Sequence, residues 1–188
     1  MKSLTLIILA IVSLCMKSNI KEEIDYNPQL LHKELSRLLC SEDFKLNELH
    51  FTDSIAKKNQ INGKFFSIEC YEGKKITAYL GRVHSCRAGG CSNQMNTDFE
   101  AEYEYFDYFI LFDSQKIVIT VRVYNYEATH GQEITVKGWL NQFIGFDESK
   151  SLHVGKEIDS ISGATISVDG LVADIQAKTH LLKTFLTL

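Results

Sequence analysis

Two runs of strand-forming residues, YEYFDYFILF at 103–112 and KIVITVRVYNY at 116–126, are separated only by Asp113, Ser114 and Gln115. Their density of Val, Ile, Phe and Tyr predicts a central, largely buried antiparallel pair at the heart of a sheet. Upstream, KFFSIECY (64–71) and KKITAYLGRVHS (74–85) read as two further strands around a tight turn at Glu72 and Gly73.

Around these strands the apolar period changes to that of a helix. Leu30, Leu31, Leu35, Leu38 and Leu39 share one face over residues 28–40, with Pro28 at the start, where a helix tolerates it. Val136, Trp139, Leu140, Phe143 and Ile144 predict a second helix ended by Gly145. A third is expected from Ile166 to about Leu186, through Val168, Leu171, Val172, Ile175, Leu181 and Leu182. Strands flanked by helices, without strict βαβ alternation, give the fold class α+β: a single domain with an antiparallel sheet flanked by helices.

The 188-residue chain, 45% hydrophobic, suffices for one core. Its 24 acidic and 20 basic side chains are interspersed, for a net charge of −4, which leaves no basic footprint for nucleic acid. Residues 1–20 differ in kind. Lys2 precedes an apolar run from Leu4 to Cys15, and the chain turns polar at Lys17, the layout of a signal peptide. The run is shorter than the roughly 20 residues a bilayer span requires. An exported, extracytoplasmic domain over 21–188 is therefore expected, in the periplasm or anchored to the outer side of the membrane. Cys15 sits where a lipoprotein signal places its acylated cysteine, although Leu14 precedes it where a small residue is usual. It is either a lipid anchor or an ordinary member of the apolar segment.

With the signal removed, Cys40, Cys70, Cys86 and Cys91 remain, and four cysteines allow three complete pairings. Cys86 and Cys91 form the obvious couple, because SCRAGGC closes a short loop whose two glycines permit tight backbone. A structural disulfide is expected there. A redox-active pair or a metal site is the alternative, and a metal would need ligands that this spacing alone does not supply. Nothing in the spacing pairs Cys40 with Cys70.

The chemistry points to the start of the last helix. Asp159-Ser-Ile-Ser-Gly-Ala-Thr165 is a run of small and hydroxylated residues leading into a helix N-terminus, where unpaired backbone N–H groups and the helix dipole favour an anion. Gly163 lets backbone approach closely, and Thr165 presents a hydroxyl at the same place. On local physics the segment is also simply a competent helix start.

DSISGAT resembles the flavinylation motif Asp-x-x-Ser/Thr-Gly-Ala-Thr of the FMN-binding domain family, whose members include domains of the sodium-translocating NADH:quinone reductase and of the Rnf complex. Asp159, Ser162, Gly163, Ala164 and Thr165 match every fixed position. The likeness extends upstream: YEATHGQ (126–132) resembles that family's Glu-Thr-Pro-Gly loop, and WLNQFIG (139–145) its aromatic Gln-Phe-x-Gly helix, so that residues 75–180 are covered. The chain departs from the pattern in the first of these, where Ala128 separates Glu127 from Thr129 and His130 replaces proline before Gly131.

The resemblance implies that an FAD:protein FMN transferase attaches FMN to Thr165 through a phosphoester, and that the domain passes electrons between donor and acceptor proteins. It implies flavin contacts for Glu127, Thr129, His130 and Gly131. His130 is either a loop histidine bonded to backbone or a neighbour of the isoalloxazine ring, and Trp139 and Phe143 are either helix core or stacking partners of the flavin. GRVHSCRAGGCS (81–92) has no counterpart in those respiratory complexes, and Arg82 and Arg87 within it are either solvated or directed at a phosphate or a partner. Two other functions fit the same residues: a flavin-dependent reductase of a small extracytoplasmic acceptor, and a binding module that is never flavinylated.

Overall fold

The computed structural model describes residues 23–39, 44–52, 55, 57, 59–70, 73, 75–87 and 103–185. Five strands form one antiparallel meander: β1 (Phe44–Leu49), β2 (Gly63–Cys70), β3 (Lys75–Arg87), β4 (Tyr103–Phe112) and β5 (Val118–Glu127), in spatial order β1-β2-β3-β4-β5. Helix α1 (Gln29–Leu39) precedes the sheet; a 3₁₀ turn (Gln132–Thr135), the short helix α2 (Lys137–Leu140), a second 3₁₀ turn (Asn141–Phe143) and the long helix α3 (Thr165–Phe185) follow it. This is the expected single α+β domain with helices against an antiparallel sheet.

Strand alternation sends side chains to two cores. On one face Phe65, Tyr79, Val83, Phe106, Tyr108, Ile110, Val121 and Val123 pack with Trp139, Leu140 and Phe143 and with the apolar side of α3. On the other, Phe66, Ile68, Ala78, Leu80, Phe109 and Leu111 receive Leu31 and Leu35 of α1, both fully buried. Because both faces are covered, β4 is buried at every position from Phe106 to Phe112, and its sequence reads as a continuous apolar run interrupted by Asp107.

Several expectations are corrected. The middle of the sheet is β3, and β5 lies at an outer edge; residues 145–146 cover that edge, with the Gly145 amide donating to the Val118 carbonyl at 2.8 Å and the Val118 amide to the Phe146 carbonyl at 2.9 Å. Strand β1 was not expected, since FKLNEL at a half-covered edge shows only intermediate and exposed side chains and therefore a weak apolar alternation. Strand β3 runs to Arg87, with an irregular register between His84 and Arg87, so Cys86 belongs to a strand rather than to the following loop. The helix predicted over 136–144 is broken into α2 and a 3₁₀ turn. Its Trp139, Leu140 and Phe143 are buried, whereas Val136 and Ile144 fall on the outer side and are exposed.

The expected signal peptide at 1–20, Cys15, Cys40, the side chains of Cys70, Cys86 and Arg87, and the expected Cys86–Cys91 disulfide lie outside the described residues. Among the described residues, no helix is long and apolar enough to cross a membrane.

Candidate functional site at the start of helix α3

The backbone turns sharply before α3: the Ala164 amide donates to the Ile161 carbonyl at 3.1 Å, and Gly163 takes a positive φ of 81°. The first helical bond follows, from the Val168 amide to the Ala164 carbonyl at 2.9 Å. Thr165 is thus the first residue of a 21-residue helix. A helix start leaves its first N–H groups without intrahelical acceptors and carries the positive end of the dipole. No acidic side chain stands in the first turn of α3 to oppose an anion.

Burial alternates through the motif in a way that separates support from display. Asp159, Ser160, Ser162, Gly163, Thr165 and Ile166 are exposed, while Ala164 and Ser167 are buried. Ser167 Oγ lies 2.8 Å from Ser85 Oγ on β3, and one turn later Gly170 passes so close to the sheet that a Cβ there would stand 2.9 Å from Val83 Cγ1. The helix is seated on β3 immediately behind Thr165, and the threonine faces outward.

Two other segments converge on this turn. Gly131, buried with φ 89°, packs against it: a Cβ on Gly131 would lie 3.1 Å from the Ala164 Cβ and 3.0 Å from Tyr126 Oη. Tyr126 donates to the His130 carbonyl, which folds the 126–131 loop back on itself, and its ring stacks on Phe106 at 5.8 Å. From the other side Trp139 Nε1 donates to the Asp159 carbonyl at 2.9 Å, and the Asp159 amide donates to Gln142 Oε1 at 2.8 Å. Both backbone groups of Asp159 are therefore held by the α2 region, which leaves its carboxylate exposed.

The sequence candidates divide accordingly. Gly131, Ala164 and Asp159 are brought together with Gly163 and Thr165. Glu127, Thr129 and His130 are exposed on the neighbouring loop, and the Thr129 hydroxyl donates to Glu104 of β4. His130 contributes its backbone carbonyl to that loop. Trp139 and Phe143 are core residues, edge to face at 5.4 Å and 79°, as the helix-core alternative holds. Arg82 is not directed at a phosphate: it is buried on the α1 face, with Nε 2.7 Å and Nη2 2.9 Å from the two carboxylate oxygens of Asp107 and its guanidinium 3.6 Å over the Tyr105 ring.

Sequence reasoning missed Tyr126, Gln142, Ser85 and Ser167 as supports of the turn. Burial pushes the Tyr126 phenol above its ordinary value, against the opposing effect of its hydrogen bond with Ser167, so it stays a neutral donor at physiological pH. A cleft of about 360 Å³ bordered by Glu23, Asp25, Asp107 and Tyr124 lies on the α1 side of the sheet, away from Thr165. Among the described residues, no group of three or more His, Cys, Asp or Glu side chains is placed to hold a metal ion. Compared with family models, with curated proteins and with solved structures, the chain finds no match in any of the three.

Proposed function

We propose that this chain is an exported flavoprotein that carries FMN covalently on Thr165, through a phosphoester, and transfers electrons between protein partners. The observation that carries the reading is the convergence of segments 126–131 and 139–142 on the 159–164 turn, through Ala164 and the backbone of Asp159, directly before the exposed Thr165 at the helix start. These segments lie within the three stretches, 126–132, 139–145 and 159–165, that resemble the family of covalently flavinylated domains.

The residues suit a phosphorylated flavin chemically. A phosphate on the Thr165 oxygen would sit at the positive end of α3, beside amides that lack intrahelical acceptors. Gly163 adds no bulk, and even a Cβ at that position would meet nothing within 4 Å, so a modifying enzyme has room to reach the hydroxyl. An unassisted threonine hydroxyl is a poor nucleophile, so the base and the metal ion must come from the transferase. When bound, the flavin supplies the redox chemistry, and this chain supplies position and electrostatics. A covalent link also suits a carrier beyond the cytoplasm, where lost cofactor is not replaced. The apolar run at 4–15 supports export, with Cys15 as its candidate lipid anchor.

The test is co-expression with an FAD:protein FMN transferase, followed by denaturing electrophoresis and peptide mass mapping. A fluorescent band whose added mass maps to the peptide containing Thr165, lost in Thr165→Ala, is the expected result. A dark band alongside a control substrate that is flavinylated by the same transferase overturns the reading.

A further inference from the structure

Between the sheet and α3 an unbroken series of aromatic rings crosses the strands. From Tyr126 it passes to Phe106 at 5.8 Å, to Tyr108 at 6.4 Å, to Tyr79 at 5.9 Å, to Phe65 at 4.7 Å and to Phe51 at 5.3 Å. Packing alone explains rings in a core. It does not explain why the phenol in the middle of the series is given an acid–base partner at the half-buried edge of the core: Tyr108, fully buried, donates to Asp174 Oδ2 at 2.5 Å, and the other oxygen of that carboxylate, whose side chain is 21% exposed, lies 2.9 Å from the ammonium of Lys178, itself buried.

We propose that Tyr108 and Asp174 form a proton-coupled redox site, in which Tyr108 gives up one electron while its phenolic proton passes to Asp174 Oδ2. The products are a neutral tyrosyl radical and a carboxylic acid that remain hydrogen-bonded, and return of one electron to the ring sends the proton back. The electron leaves along Phe106 and Tyr126 to a strong one-electron oxidant at the Gly131–Ala164 end of the series. A light-excited flavin on Thr165 is such an oxidant, and that part of the inference rests on the function proposed above.

Two features select Tyr108 over its neighbour. Tyr79 Oη is buried without a hydrogen-bond partner among the described residues, so its proton has nowhere to go, and the Lys178 ammonium 5.6 Å from its ring centroid opposes loss of an electron there. Tyr108 has an acceptor in place. Burial, reinforced by the Asp174 charge, holds its phenol well above the ordinary value, so the phenolate does not form first and electron loss has to be coupled to the proton shift.

The experiment uses the full chain without flavin and photogenerated tris(bipyridine)ruthenium(III) as the oxidant, with electron paramagnetic resonance and transient absorption as readouts. The expected result is a tyrosyl radical that outlives those at the surface and resists ascorbate, with its yield reduced several-fold in Tyr108→Phe. In Asp174→Asn, which keeps an acceptor oxygen but not a proton acceptor, the yield also falls and the slowing in heavy water disappears. A shielded radical of undiminished yield in folded Tyr108→Phe overturns the proposal, and that variant decides the matter if Asp174→Asn does not fold. Because no flavin is present, failure here is distinct from failure to flavinylate Thr165. In flavin-loaded protein, Tyr126→Phe should lengthen the flavin fluorescence lifetime, and an unchanged lifetime removes the relay through Tyr126.

Discussion

Gly131 packs closely against Ala164: a Cβ on Gly131 would stand 3.1 Å from the Ala164 Cβ and 3.3 Å from its Cα, tighter than ordinary van der Waals contact. The contact joins the loop after β5 to the turn before α3, two segments far apart in sequence, and it is made from a left-handed backbone at φ 89°. Gly163, at the other side of the contact, has a similar φ of 81° but open space around it.

These two glycines separate backbone strain from collision. Gly163→Ala should cost about 1 kcal/mol, from the left-handed conformation alone. Gly131→Ala adds contact with Tyr126 and Ala164 and should cost about 3 kcal/mol. Urea denaturation of the two variants checks the difference, and flavinylation should fall further in Gly131→Ala because the turn that displays Thr165 is displaced.

Tyr79 offers a case of the opposite sign. Its hydroxyl is the buried polar side-chain atom without a partner among the described residues, pressed over the backbone of Gly81 and Gly63, which pair across β2 and β3. A buried unsatisfied hydroxyl costs about 1–3 kcal/mol, so Tyr79→Phe should leave stability unchanged or raise it by about 1 kcal/mol. Gly81→Ala should instead be severe, at about 4 kcal/mol or more, since its Cβ would lie 2.2 Å from Tyr79 Oη. Thermal melts of Gly81→Ala alone and with Tyr79→Phe should show partial rescue in the double variant.

Arg82 and Asp107 form a two-pronged pair whose side chains are 4% and 1% exposed, with Asn125 Nδ2 donating to Asp107 Oδ2 at 3.1 Å. Removing one member of such a pair strands the other charge in the interior. Asp107→Ala should therefore destabilise by about 3–5 kcal/mol, while the paired replacement of Arg82 and Asp107 by apolar residues of similar volume should cost much less. Equilibrium denaturation of the single and double variants distinguishes the outcomes.

How much of this was legible in the sequence follows from which signals are local. Strands β2 to β5 announce themselves by their density of Val, Ile, Phe and Tyr, β4 as an almost unbroken apolar run because both its faces are covered, and helices α1 and α3 by their period. Strand β1 does not, because its edge is only half covered, and the 136–144 segment misleads because Val136 and Ile144 continue an apolar period that the 3₁₀ turns break. The motif at 159–165 is visible as a string of small residues. Its supports are not: Tyr126, Gln142 and Ser85 stand far along the chain from the positions they hold, and nothing in their spacing links them. The placement of Arg82 was open for the same reason, since its partner lies on another strand.

Glu34 gives the molecule an acid-sensitive joint between α1 and the sheet. Burial raises the pKa of its carboxyl, but hydrogen bonds from Arg37 and Arg122 and the charges of both outweigh that and hold it below the ordinary glutamate value. The contacts are short: Arg37 Nη2 at 2.7 Å and Arg122 Nε at 3.1 Å, one from the helix itself and one from β5. A carboxylate whose folded pKa is depressed contributes stability that is fully present above its unfolded pKa and lost as the pH falls through the folded value. Stability should therefore hold down to about pH 4.5 and decline below it, through the Glu34 contribution, as the carboxyl protonates and releases the two arginines. In Glu34→Gln the neutral-pH stability should already be lower by about 2 kcal/mol, because Arg122 loses its buried counter-charge, and the acid-side decline should be shallower. Chemical denaturation of the parent and the variant between neutral and acid pH measures both slopes, and equal slopes would mean that protonation of Glu34 does not weaken the joint between α1 and the sheet.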